Sequence, residues 1–216
     1  DFANMHELVG SEHSDTIIGP DSGAQFNITA ENSGKITWNN NIITFSAVEN
    51  LTGGSSDDTF VFIGTGHLTG FIDGGGGSNT LDYSAYDAGD DDKGVYVNLN
   101  EGSATRAQKF IKNIQNLVSS PFDDIFIGHE SENNNFSFVD NWGNDDITLG
   151  GGLNTLDFSR IMASLHITLA EDKISVISSN NKDKITFLGE NLPQALDKII
   201  GGQGGNIFEI KKSYTV

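Results

Sequence analysis

Carboxylates are the most abundant charged groups in this sequence. Asp and Glu number 30 against 12 Lys and Arg, for a formal net charge of −18. Hard oxygen ligands at this density suit divalent cations. They repel nucleic acid and anionic membranes. The excess lies in residues 1–170, with 24 acidic and 6 basic side chains, whereas residues 171–216 carry 6 of each. The densest cluster, Asp87, Asp90, Asp91 and Asp92, lacks EF-hand spacing and reads as a solvated loop.

Other chemistries find little support. There is no Cys, so disulfides, thiolate metal sites and a cysteine nucleophile are excluded. His6, His13, His67, His129 and His166 are scattered, and His6-Glu7 does not continue into HExxH. All five read as surface or turn residues. No GxSxG or P-loop pattern occurs, and the tract Gly74–Gly77 precedes a strand pattern rather than a helix. Elimination on a uronate would need a Lys or Arg base beside acidic ligands. Arg106, Arg160, Lys109 and Lys112 are the candidates, and they read as isolated surface charges. Trp38, Trp142, Tyr83 and Phe158 have rings that stack on sugars or pack in a core.

The elements that must position these groups are strands. Helical periodicity is nearly absent; its best candidate, Asn191–Lys198, is interrupted by Pro193. Short runs alternate apolar and polar residues, as in Gln25–Thr29, Gly94–Leu99, Leu165–Leu169 and Lys173–Ile177. That alternation marks strands with one buried face. No apolar run approaches the ~18 residues of a membrane helix.

Internal repeats organise the strands. Asn79-Thr80-Leu81-Asp82-Tyr83-Ser84 recurs as Asn154-Thr155-Leu156-Asp157-Phe158-Ser159. A nonapeptide GGxGxDxUx, with U apolar, fits seven windows in whole or part. Its sixth position holds Asp15, Asp58, Asn79, Asp124, Asp145, Asn154 and Asn206, and its eighth holds Ile17, Phe60, Leu81, Phe126, Ile147, Leu156 and Phe208. Sixth positions are 43, 21, 45, 21, 9 and 52 residues apart. A unit of ~21 residues matches one turn of a stacked coil, whose exposed face only the next turn can bury. The sequence therefore predicts an all-β, right-handed parallel β-solenoid of about ten turns. The seven apolar residues should point into its core, and Asn at equivalent positions should form a hydrogen-bonded ladder inside it. One domain over 1–216 is expected, cut from a longer protein, with 171–216 as atypical terminal turns.

These nonapeptides resemble the hemolysin-type, or RTX, calcium-binding repeats of exported bacterial proteins. Ile72–Ser84 also looks like the repeat arrays of giant bacterial surface proteins and adhesins. The resemblance implies calcium as cofactor, with Asp15, Asp58, Asp124 and Asp145 as ligands. Asp145 with the Gly143–Gly152 turns is the strongest of these, because only there are two nonapeptides tandem. The sequence departs from the pattern where Asn79, Asn154 and Asn206 replace Asp, and where Ser119-Ser120-Pro121-Phe122 replaces the glycines. The function implied is a non-catalytic stalk segment, extracellular or at the bacterial cell surface. It would be rigidified by calcium and take part in adhesion to a surface glycan or a host or matrix ligand. Neither nucleic-acid binding nor membrane insertion is expected. The alternative is a carbohydrate-binding or polysaccharide-modifying β-helix domain.

Overall fold

The computed structural model describes residues 5–89, 93–170, 173–180, 183–187 and 196–211. Among these residues the chain is all-β. In chain order the strands begin with β1 (Glu7–Val9), β2 (Thr16–Ile18), β3 (Gln25–Ala30), β4 (Ser33–Trp38), β5 (Asn41–Ser46), β6 (Asn50–Thr52), β7 (Thr59–Gly64) and β8 (Ile72–Asp73). They continue with β9 (Thr80–Tyr86), β10 (Tyr96–Asn98), β11 (Ser103–Ala104), β12 (Ile111–Lys112), β13 (Asn116–Val118), β14 (Ile125–Ile127) and β15 (Asn135–Ser137). The last are β16 (Asn144–Thr148), β17 (Asn154–Asp157), β18 (Leu165–Ala170), β19 (Lys173–Ser178), β20 (Lys184–Phe187), β21 (Leu196–Ile200) and β22 (Ile207–Ile210). The chain packs as two compact units, Asp1–Asp91 with Glu101–Asn116, and Asp92–Asn100 with Leu117–Val216.

In the first unit, β3, β7 and β9 pair in parallel, with Phe26, Phe60 and Leu81 in register. A second parallel row joins β2, β6, β8 and β12, aligning Ile17, Leu51, Ile72 and Ile111. In the second unit, β10, β14, β16 and β20 pair in parallel, aligning Val97, Phe126, Ile147 and Phe187. Strands β15, β17 and β21 do likewise, aligning Phe136, Leu156 and Ile199. Large side chains thus stack on themselves along each row. Phe26 lies on Phe60 with ring centroids 4.7 Å apart, and Phe138 lies on Phe158 at the same distance. Trp142 is fully buried beside that second pair.

Five of the seven predicted core residues, Phe60, Leu81, Phe126, Ile147 and Leu156, are fully buried. The two at the ends of the repeat are not. Ile17 is half-buried, and Phe208 is 51% exposed. Each lies on a strand at the end of its sheet, with a paired neighbour on one side only.

The strands are not all parallel. Antiparallel pairing joins β3 to β4, β4 to β5, β18 to β19 and β19 to β20. Chain length dictates this. Asn39 and Asn40 alone separate β4 from β5, whereas a parallel crossover needs a dozen residues or more. Both asparagines take left-handed backbone angles, φ 42° and 67°, as a two-residue hairpin turn requires. The stretch with the best helical periodicity, Asn191–Lys198, is not helical where it is described. Leu196–Lys198 belongs to β21, paired in parallel with β17; the other residues of that stretch lie outside the described residues. Among the described residues, no helix is long and apolar enough to cross a membrane.

Candidate functional site

Three of the sixth-position aspartates, Asp58, Asp124 and Asp145, are buried. Each precedes a buried apolar residue by two, and residues two apart in a strand share a face. Asp58, two residues before Phe60, is buried. Its Oδ1 accepts the Ala24 N–H at 2.7 Å, and its Oδ2 accepts the Gly54 N–H at 2.7 Å. The Asp58 N–H donates in turn to Asn79 Oδ1 at 2.9 Å, 21 residues ahead. The Asn79 N–H donates to Gln115 Oε1 at 2.9 Å. Asn79 also spends its amide hydrogens on the carbonyls of Gly76 and Asn113.

The second unit repeats the arrangement. Asp124 Oδ1 accepts the Val95 N–H at 2.8 Å, and Oδ2 accepts the Ser120 N–H at 2.7 Å. Ser120 replaces a motif glycine and adds a hydroxyl donor to Asp124 Oδ1. The Asp124 N–H donates to Asp145 Oδ1 at 2.9 Å, again 21 residues ahead. On the other row, the Asn134 N–H donates to Asn154 Oδ1 at 3.0 Å. Asp15 is half-buried; its Oδ2 accepts from Ser11, and its N–H donates to Glu49 Oε2 at 2.8 Å.

Side chains therefore form ladders that satisfy backbone donors where the chain turns into each strand. Such donors are expensive to leave buried and unpaired. Of the Asn ladder expected from sequence, the structure shows one Asn-to-Asn step, Asn134 to Asn154, and Asp residues serve as rungs of the same kind elsewhere. The close approach of turns explains the glycines here. A Cβ on Gly53 would lie 2.3 Å from both Gly74 O and Asp58 Oδ2.

Burial sets the electrostatics. It raises the Asp58 carboxyl above its ordinary value, against the opposing N–H groups of Gly54 and Ala24. It pushes Asp124 up to about 7, against bonds from Ser120 and Val95. Asp145 is pushed well above the usual range by burial first and by the charge of Asp124 second; Asp123 and Asp183 add to it. Asp145 Oδ2 is buried and has no hydrogen-bond partner.

Of the aspartates expected to ligate calcium, Asp15 and Asp58 sit on rungs of the first unit, and Asp124 and Asp145 on successive rungs of the second. Among the described residues, no three His, Cys, Asp or Glu side chains group so as to hold a metal ion. Asp145 fits a hard cation best, because Oδ2 is the buried carboxylate oxygen left without a donor.

The remaining candidates lie elsewhere. The Arg106 guanidinium lies 5.2 Å over the Tyr86 ring and donates to the Asp87 carbonyl at 3.1 Å. Lys112 pairs with Asp73 at 3.0 Å, while Lys109 and Arg160 are exposed. His166 meets Glu209 at 3.1 Å, and His67 meets Glu31 at 3.5 Å. Asp87 is exposed, and Asp90–Asp92 lie outside the described residues. Tyr83, Trp142 and Phe158 are buried, which leaves Trp38 as the half-exposed ring of the four. Sequence reading missed Asn134, Gln115 and Ser120 as ladder members. Asn134 was findable, since it stands two residues before Phe136 and 20 before Asn154.

No protein-family model matches the chain, and no curated protein matches it significantly.

Proposed function

We propose that this chain is a right-handed parallel β-solenoid with one turn per ~21 residues, acting as a non-catalytic structural segment of a secreted or cell-surface protein. The observation that carries the reading is the coincidence of ladder and core. Asp58 with Asn79, and Asp124 with Asp145, are bonded 21 residues apart, directly beside the stacked rows Phe60–Leu81 and Phe126–Ile147. In repetition of this kind each turn leans on its neighbours. Upward pKa shifts fall on Asp58, Asp124 and Asp145; Asp58 and Asp124 accept backbone donors on both carboxylate oxygens, and Asp145 accepts one on Oδ1. That arrangement supports a scaffold, not a reaction centre. Incubation with polygalacturonate or alginate should therefore yield no unsaturated product absorbance, and turnover lost on Arg106→Ala would reverse this reading.

Calcium is the proposed cofactor. Asp145 would hold it through the unpartnered Oδ2, and the bound cation would supply the positive charge that the buried carboxylate lacks. A cation that binds only the folded state stabilises it by mass action. Millimolar calcium should thus raise the melting temperature relative to chelator, and Asp145→Ala should abolish the difference. Equal melting of the parent chain in both conditions would end the calcium proposal.

A further inference from the structure

The hairpin tip between β4 and β5 borders a shallow, open groove of about 670 Å³ in the first unit, whose lining includes Ala24, the backbone donor to Asp58 Oδ1. Trp38 and Asn41 flank the two turn residues and are register partners. The tip is fixed by its own side chains. Asn41 Nδ2 donates to the Trp38 carbonyl at 3.2 Å. Asn39 Nδ2 donates to Ser22 Oγ at 3.0 Å, tying the hairpin to the opposite wall. Gln25, Asn40 and Asp57 line the cleft with exposed side chains, and Trp38 lines it half-buried.

We infer that this cleft binds a neutral saccharide. An indole face offers a flat apolar platform for the C–H face of a pyranose ring. The Asn40 amide brings donors and an acceptor, the Gln25 amide keeps its oxygen and one N–H beside its bond to Asn27 Oδ1, and the Asp57 carboxylate keeps Oδ2 beside the Ser78 N–H bond to Oδ1, which matches the alternating needs of sugar hydroxyls. A few polar groups placed around an aromatic surface are the usual composition of a small-molecule site. The lining contains no Lys, Arg or His, so phosphate, sulfate and uronate groups would meet no counter-charge. The net charge of −18 opposes such anions further.

The protein carries its own reporter. Of its two tryptophans, Trp142 is fully buried, so a ligand-induced change in indole emission, or in an indole N–H resonance, belongs to Trp38. Titration with neutral oligosaccharides of the gluco, manno, xylo and N-acetylglucosamine series should shift these signals saturably, with a dissociation constant of ~0.1–1 mM. Polygalacturonate, the anionic control, should leave them unmoved. By calorimetry, Trp38→Leu should bind ~tenfold more weakly and Gln25→Ala ~threefold. Gln25 is exposed, and its Nε2 donates to Asn27 Oδ1 at 2.6 Å, so the melting temperature of the variant is measured alongside and separates loss of binding from loss of fold. The inference fails if no neutral oligosaccharide moves the Trp38 signals at ~10 mM, if only the polyuronate does, or if the folded Gln25→Ala protein binds as the parent does.

Discussion

Truncating Phe60 to alanine is expected to lower the unfolding free energy by about 3–5 kcal/mol. The ring is fully buried, stacks on Phe26 at 4.7 Å with an interplanar angle of 11°, and is in register with Leu81 on the next strand. Removing it leaves a void between two strands whose backbone spacing is set by hydrogen bonds, so collapse around the void is restricted. Phe208→Ala provides the contrast. That ring is 51% exposed on the terminal strand β22, and its loss should stay within ~0.5 kcal/mol. Urea denaturation of the two variants reads the difference directly. Equal effects would mean that the stacked rows do not carry the stability of the fold.

This contrast also marks how far sequence reading reached. Apolar type at the eighth position was enough to locate Phe60, Leu81, Phe126, Ile147 and Leu156 in the core, because a strand with one buried face has no other use for them. It failed for Ile17 and Phe208, because burial in a stacked coil comes from the next turn and not from the residue itself. The antiparallel hairpins were legible in principle. Alternating runs on either side of Asn39-Asn40 leave no room for a parallel crossover, and consecutive asparagines tolerate the left-handed angles of a tight turn.

The site was legible in position but not in role. Sixth-position Asp and Asn were found together, and the i, i+2 rule already placed them on the core side of each strand. Motif spacing does not say whether such a carboxylate faces a cation or a backbone N–H. The answer depends on which donors the preceding turn leaves unpaired. Ala24, Val95 and Asp124 supply those donors from 34, 29 and 21 residues away, distances that no nonapeptide window spans. Ser120 was counted as a broken glycine, yet it makes the bond to Asp124 Oδ2 through its N–H and adds a second bond through its hydroxyl. Trp38 was grouped with three other rings, and only exposure separates it from them.

Asp145→Asn is expected to stabilise the protein in chelator at about pH 8, by about 1–3 kcal/mol, the range for relieving an unsatisfied buried polar group. Asparagine retains the oxygen that accepts the Asp124 N–H. Its amide would take the place of the unpartnered Oδ2. Asn79 and Asn154 show what that amide does on this kind of rung. Each donates from Nδ2 to the carbonyl three residues earlier, Gly76 and Gly151 respectively; for position 145 that carbonyl is Trp142. The substitution also removes a negative charge facing Asp124, with Asp123 and Asp183 nearby. The pH dependence has a definite sign. A carboxyl whose folded pKa lies above its unfolded value binds its proton more tightly when folded, so stability is greatest below the unfolded value and falls as pH rises through the folded one. Asp145 lies well above 3.8 and Asp124 at about 7, so the parent should melt lower at about pH 8 than at about pH 5. The variant should show a shallower fall, since Asp145 no longer titrates and Asp124 loses a repelling neighbour. Protonation, calcium and asparagine then act on one fault by three routes, and a variant already relieved by the amide should gain nothing from calcium. Melting curves at both pH values in chelator test this. A variant that melts below its parent at the higher pH would mean that the Asp145 carboxylate is well satisfied as an anion, and the rung would need a different reading.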